Sequence, residues 1–331
     1  MGQNQHAIGL DVGTSRIVTA RRTGDEPSFA SELNALVSVP YSKMTVASLE
    51  REGILHSVQD GEITVHGNES EKFAGLLNAE IRRPMSRGVL DARETGGLKS
   101  IREILLRMLA PAAKGRQKIC FTVPSAPFGG DTGLTYHEAT LRQLLTELGF
   151  EPTCINEGLA VVYGELEDSN YTGIGISCGG GLCNLCLAYL SVPVLCFSIP
   201  KAGDYIDISA AQVTGERANR IRLAKEESFH FNGFFADKIQ QVISVYYDDM
   251  IRSLVSALKD GFTRASNLPK FNRAIPIVLS GGTALPVGFR DRFEALVMNQ
   301  DFPVRISEVR LAQNPLYSTA KGALACALSE P

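Results

Sequence analysis

The sequence predicts an α/β fold built twice over, with mixed sheets covered by helices. Two observations carry that expectation. Ile8-Gly9-Leu10-Asp11-Val12-Gly13-Thr14 and Ile174-Gly175-Ile176-Ser177-Cys178-Gly179-Gly180 share one pattern, Ile-Gly-apolar-X-apolar-Gly-small, and stand half of the 331-residue chain apart. Around them, short apolar runs alternate with segments whose apolar residues recur at helical spacing, the pattern of sheets with helices on their faces.

Each element follows in order. Residues 8–12 read as a buried strand, Gly13 as a tight turn, and Ile17-Val18-Thr19-Ala20 as the returning strand. The stretch from about 31 to 88 has a different texture, with β-like pieces at 36–39 and 63–66 and a polar helix around 69–77, and reads as a small inserted subdomain. Leu98, Ile101, Leu105 and Met108 mark a helix that Pro111 stops. Residues 118–124 form a buried strand, and Leu141, Leu144, Leu145 and Leu148 face a helix that Gly149 closes. The second glycine hairpin returns over 185–190. A helix then spans about 237–258, with Ile239, Val242, Ile243, Tyr246, Met250, Leu254 and Leu258 on one stripe. Finally Ile275-Pro276-Ile277-Val278-Leu279 leads into Ser280-Gly281-Gly282-Thr283, ahead of a helix-like stretch at 287–298.

Composition narrows the function. Hydrophobic residues are 44% and charged residues 21%, which excludes a disordered or collagen-like chain. Lys plus Arg number 33 against 36 Asp plus Glu, with no block of like charge, so neither nucleic acid nor an anionic membrane is expected as a partner. The apolar stretch 185–197 is broken by Tyr189, Ser191 and Pro193 and falls short of the ~20 residues of a membrane helix. Residues 1–6 are polar and form no secretory leader. Seven cysteines without a compact framework suit a reducing compartment; the expected location is the cytoplasm.

The glycine turns carry the chemistry. In Asp11-Val12-Gly13-Thr14-Ser15 a carboxylate ends a strand, turn amides make an anion nest, and Gly13 admits a close approach. Thr14 and Ser15 add hydroxyl donors, and Asp11 suits Mg²⁺, directly or through water. Any one such turn is more often a plain hairpin; three, each directly after an apolar strand, favour phosphate binding, with an anion or a purine edge for the third at the start of the helix that follows. No Gly-x-x-x-x-Gly-Lys-Ser/Thr is present, so this is not a P-loop protein. Cys183 and Cys186 have C-x-x-C spacing, but residues three apart on a strand face opposite sides, so they read as small buried hydrophobes rather than metal ligands. The five histidines are scattered and read as surface or capping residues.

The order of these pieces resembles the actin-like ATPases, a superfamily shared with heat-shock chaperones and sugar kinases, and most closely the bacterial actins of the MreB and MamK type. Residues 8–16 are similar to the first phosphate motif, Arg83-Pro84-Met85-Ser86-Arg87-Gly88-Val89-Leu90 to the segment leaving the MreB insertion, Cys154-Ile155-Asn156-Glu157-Gly158-Leu159-Ala160 to the stretch joining the halves, 279–288 to the adenosine motif, and Ala320-Lys321-Gly322-Ala323 to the final interdomain helix. The resemblance implies two duplicated ribonuclease-H-like lobes around a nucleotide cleft: lobe I over 1–158, completed by a C-terminal helix at about 314–331, and lobe II over 159–313. It implies ATP or ADP with Mg²⁺ as cofactors, Asp11 and Glu157 as catalytic residues, and Asp11 as the magnesium residue, through water. The nucleotide contacts it implies are Gly13, Thr14, Ser15, Ser177, Gly179, Gly180, Gly181, Gly203, Asp204, Arg222, Lys225, Gly281, Gly282 and Thr283. Gly203-Asp204 is expected as a turn and helix cap near the phosphates, and Arg222 or Lys225 in the family's basic role.

Two departures bear on activity. The second phosphate motif, normally Asp-x-Gly-Gly-Gly-Thr, reads Ser177-Cys178-Gly179-Gly180-Gly181-Leu182. Losing the aspartate weakens metal-assisted positioning of water, so hydrolysis is expected to be slow or absent. Only about ten residues separate Lys225-Glu226-Glu227 from the helix near Asp237, so the outer subdomain of lobe II is reduced or absent. The polar N-terminus and the small basic loop at 111–117 argue against direct membrane insertion. The implied function is a cytoskeletal protein whose main partner is itself, in a homopolymer, with an adaptor or cargo protein as a further partner. A non-polymerising nucleotide-binding adaptor is the alternative. A sugar-kinase-like phosphotransferase ranks last, for want of an aspartate base.

Overall fold

β1 (Ile8–Val12) turns through Gly13 into the antiparallel β2 (Arg16–Thr23), which pairs with β3 (Glu26–Leu33). The chain then builds an insertion of β4 (Leu36–Pro40), α1 (Lys43–Arg51), β5 (His56–Gln59), β6 (Glu62–His66) and α2 (Glu69–Leu77). Its strands form a three-stranded sheet in the order β4-β6-β5, with Val37, Val39, Ile63 and Val65 turned onto Leu49 of α1 and Ala74 of α2. The short hairpin of β7 (Met85–Ser86) and β8 (Val89–Leu90) leads back through α3 (Gly97–Met108) to β9 (Gln117–Val123), which lies parallel to β1. After α4 (Leu134–Glu147), β10 (Phe150–Asn156) adds in parallel, giving the sheet order β10-β9-β1-β2-β3. This computed structural model describes residues 7–329 apart from 25, 78, 110–116, 128–132, 232, 236, 266 and 267. The polar start at 1–6 and most of the loop at 111–117 therefore lie outside the described residues.

The second half repeats the plan. α5 (Glu157–Glu165) leads to β11 (Gly173–Cys178), β12 (Cys183–Tyr189) and β13 (Val192–Ile199), joined antiparallel. α6 (Gly203–Thr214), α7 (Ala218–Glu227) and α8 (Lys238–Arg264) follow, then β14 (Ile275–Ser280), α9 (Phe289–Met298), β15 (Ile306–Leu311) and α10 (Ser318–Ser329). β14 and β15 add in parallel, so the order β13-β12-β11-β14-β15 matches the first sheet strand for strand. The duplication read from two glycine motifs is thus a duplication of the whole sheet. Among the described residues the second half has no counterpart of the three-stranded sheet; residues 228–237 bridge α7 and α8 instead.

The shared Ile-Gly of the repeat has a packing cause. A β-carbon on Gly9 would lie 2.1 Å from the Ala320 carbonyl oxygen of α10, and one on Gly175 would lie 2.3 Å from the Gly158 oxygen of α5. Each sheet therefore receives a helix backbone directly on its first strand. The helices are exchanged: α5, leaving the first half, lies on the second sheet, and α10, leaving the second half, lies on the first. They pack on each other through Gly322, where a β-carbon would come within 1.7 Å of the Ala160 oxygen. Ile155, Ala160, Val161, Cys186, Val278, Ala320 and Ala323 form the apolar seam.

Two readings shift. The helix expected at 237–258 runs on to Arg264, and Tyr247 joins its inward side, fully buried, beside Tyr246, which packs partly buried against the same core. His137 is buried inside α4, where its Nδ1 accepts from the Leu90 amide at 3.3 Å, so it is no surface or capping residue.

Candidate functional site

Every residue singled out above as a site residue lines one cavity of about 300 Å³ between the halves. Its floor is made by the two glycine hairpins. Gly13 and Gly179 each close their turn with an amide, to the carbonyls of Arg16 (2.9 Å) and Leu182 (3.0 Å). The turns touch: a β-carbon on Gly181 would lie 2.5 Å from the Thr14 Oγ1 and 2.4 Å from the Gly88 amide nitrogen. Thr14 accepts a hydrogen bond from that amide at 3.1 Å. Leu182, where the resemblance expects a threonine, is buried against Gly88, whose φ of 78° suits glycine. The lost hydroxyl is exchanged for an apolar contact that closes the β7–β8 hairpin over the second turn.

Asp11 and Glu157 face each other at the inner end. The Asp11 carboxylate accepts from Thr122 (2.7 Å) and Thr319 (2.6 Å); burial pushes its pKa up, against those two bonds. Burial, then the neighbouring Asp11 charge, pushes the Glu157 carboxyl up as well, opposed by bonds from Ser177 and Asn184. Asn184 holds Glu157 at 2.9 Å while its own oxygen accepts from the Ser125 amide at 2.8 Å, and Ser177 donates at 3.3 Å. Two buried carboxyl groups side by side, both pushed up, mark a place short of positive charge. Among the described residues no group of three or more His, Cys, Asp or Glu side chains can hold a metal.

The helices of the second half behave differently from expectation. The helix-cap position before α6 is Ala202, with no side-chain bond, so Asp204 is no cap. The first amides of α6, from Gly203 and Asp204, donate to the carbonyls of Gly179 and Gly180 at 3.1 and 2.8 Å, so this helix start anchors the hairpin. Arg83 pairs with the Asp204 carboxylate at 2.7 Å and neutralises it beside the turn. Lys225 is committed to Asp207 (2.7 Å) and the Gly203 carbonyl (3.2 Å), and Arg222 to Glu71 of the insertion. The third turn does not sit at the start of α9: a single 3-10 turn, Gly282–Ala284, intervenes, and Gly288 caps α9. Gly281, at φ 90°, leans on Cys178, and Thr283 donates to the Gly179 carbonyl at 2.8 Å.

Several lining residues were not anticipated: Asn184, Asp207, Phe229, Tyr247 and Thr319. Tyr247 stacks on Phe229 with centroids 5.1 Å apart, and its buried hydroxyl has no partner; nor has the Arg222 Nε. Orphaned polar atoms in a cavity wall are costly unless a ligand or water meets them. A lone Asn in the apolar run 183–188 was the available sequence signal; Tyr247 offered none, since the stripe expected from the sequence runs through Tyr246.

A family model described as Volactin matches residues 6–327. The chain belongs to the volactin family. No curated protein matches the sequence. Among solved structures this volactin-family chain is similar to a MamK double helical filament, with TM-score 0.73 at 18% identity over 98% of this chain and 99% of that one. It is similar to MreB5 of Spiroplasma citri bound to AMPPNP, with TM-score 0.66 at 14% identity over 96% and 94%. A third likeness is to the ethanolamine utilization protein EutJ from Carboxydothermus hydrogenoformans, with TM-score 0.56 at 16% identity over 96% and 88%. Such identities speak for the fold, and this volactin-family chain has the actin-like ATPase fold. Among the described residues no helix is long and apolar enough to cross a membrane.

Proposed function

We propose that the interlobe cavity binds ATP or ADP with Mg²⁺, that nucleotide controls assembly of this chain with copies of itself into cytoplasmic filaments, and that hydrolysis is slow. The observation carrying this reading is the convergence of three glycine turns from both halves on a cavity that also holds a facing carboxylate pair and orphaned polar atoms. Likeness to a MamK filament, to a non-polymerising MamK mutant bound to AMPPNP and to MreB5 bound to ADP supports it.

In this reading the halves are lobe I (1–158 with 314–331) and lobe II (159–313). The backbone of Thr14 and Ser15 meets the phosphates from one side and that of Gly180 and Gly181 from the other. Bound Mg²⁺ would neutralise phosphate charge beside Asp11. Asn184 and Ser177 orient Glu157, which would take the proton of an attacking water once a bound cation beside Asp11 favours its ionised form. Ser177 brings no charge, so water is positioned loosely; losing one such group costs on the order of 10²-fold in rate. The base lies toward Phe229 and Tyr247.

Closure of the halves on one nucleotide state favours assembly as differential binding. Equilibrium dialysis with labelled ATP and Mg²⁺, with pelleting and electron microscopy in ATP, ADP and no nucleotide, tests both parts. Uptake with no filaments in any state favours the adaptor reading, in which nucleotide is a structural ligand; no uptake at all ends both.

A further inference from the structure

Four cysteines of the second sheet stand in facing pairs: Cys178 opposite Cys183, and Cys186 opposite Cys196. The Gly179 amide bonds the Leu182 carbonyl, and antiparallel pairs alternate between hydrogen-bonded and non-hydrogen-bonded. Counting outward from that bond, and then across β12, makes both cysteine pairs non-hydrogen-bonded. Their Cα atoms therefore stand about 4.5 Å apart, inside the roughly 4.4–6.8 Å that a disulfide spans. The pairs differ in access. Cys178, Cys183 and Cys186 are buried, whereas Cys196 is partly exposed. Cys186 lies directly beneath the start of α5, where a β-carbon on Gly158 would come 2.9 Å from its own Cβ.

We propose that Cys196 and Cys186 form a reversible oxidation site that takes hydrogen peroxide as its oxidant. Cys196, as thiolate, attacks the peroxide; the O–O bond breaks, water leaves after protonation, and the sulfur becomes a sulfenic acid. The Cys186 sulfur then attacks the sulfenic sulfur, the S–O bond breaks, and the departing hydroxide takes the thiol proton as a second water. Two thiols lose two electrons and two protons, and the peroxide is reduced to two waters. Bonding to Cys196 and burial push the Cys186 thiol up, which suits it to resolve rather than to attack.

The test treats the reduced full-length chain with hydrogen peroxide under native conditions, followed by non-reducing peptide mapping. A bridged peptide containing Cys186 and Cys196 is expected, lost on dithiothreitol treatment, absent from Cys196→Ser and Cys186→Ala, and retained in Cys178→Ser. Circular dichroism of each variant shows whether its fold is intact before oxidation. In the wild type, a free or sulfinic Cys196, or a bridge joining Cys178 to Cys183 or reaching Cys326 instead, overturns the proposal.

Discussion

Ser15 and Gly180 meet across the cleft, so closely that a β-carbon on Gly180 would lie 2.4 Å from the Ser15 Oγ. One residue comes from each half, and their separation sets the gap in which a phosphate would sit. Gly180→Ala should turn the Ser15 hydroxyl away into the phosphate gap and weaken nucleotide binding about tenfold, roughly 1.4 kcal/mol, with little loss of thermal stability because the serine side chain can rotate. Ser15→Gly in the same background should restore most of the affinity. Fluorescent-nucleotide titration reads both variants, and a double mutant no tighter than Gly180→Ala would disprove the contact's role.

Exchange of α5 and α10 between the sheets makes their crossing the tie between the halves. At Gly322 the nearest backbone atom would stand 1.7 Å from an added β-carbon, and backbone cannot rotate away. Gly322→Ala is expected to lower stability by 3 kcal/mol or more, at or beyond the ~1–3 kcal/mol usual for overpacking. Gly75, exposed in α2 with open space around it, is the control: Gly75→Ala should stabilise by roughly 0.5–1 kcal/mol. Urea denaturation of the two variants decides whether close packing, or merely glycine content, matters at the seam.

Much of this architecture is legible in the chain because its signals are local. A glycine after an apolar run marks a turn whether or not the rest of the fold is known, so the three turns and their order can be read directly. What α6 and α7 do with their charges is not local. Arg83 finds Asp204, Arg222 finds Glu71, and Asn184 finds Glu157 only after two sheets have been assembled. Hence the sequence places Arg222 and Lys225 in the cavity wall, where they stand, but not their ion pairs with Glu71 and Asp207.

Buried titratable groups give the stability a pH signature. Burial pushes His66 and His137 down to about 4; His66 bonds Ser100 at 2.9 Å and Ser57 at 3.1 Å in its neutral form. With folded pKa values below the unfolded one, the unfolded chain takes up protons first. Stability from these two is complete above about pH 6.5 and falls as pH drops toward 4, by up to about 1.4 kcal/mol per unit for each. Glu157 has the opposite sign. Its carboxyl is pushed up to about 8, so the folded state holds a proton that the unfolded chain releases, and stability falls as pH rises from about 4.5 through 8. Denaturation midpoints should therefore drop between pH 6.5 and 4.5, less steeply in His66→Gln/His137→Gln. At pH 8, Glu157→Gln should melt higher than the wild type.

Ser177→Asp tests the proposal that hydrolysis is slow for want of a carboxylate at this position. The Ser177 hydroxyl now donates to Glu157; an aspartate there would remove a donor and set a third carboxyl group beside Asp11 and Glu157. Without nucleotide, that crowding should lower the melting temperature, since like charges in a buried site raise one another's pKa and cost folding free energy. With ATP and Mg²⁺ the sign reverses: the extra carboxylate helps hold the metal's water shell, so the Mg²⁺-dependent thermal shift should exceed that of the wild type. Phosphate release should rise by one to two orders of magnitude, on the order of what a single positioning group supplies. A lower apo melting temperature with no gain in Mg²⁺ dependence or in phosphate release would mean that Ser177 serves the carboxylate pair alone and takes no part in metal or water chemistry.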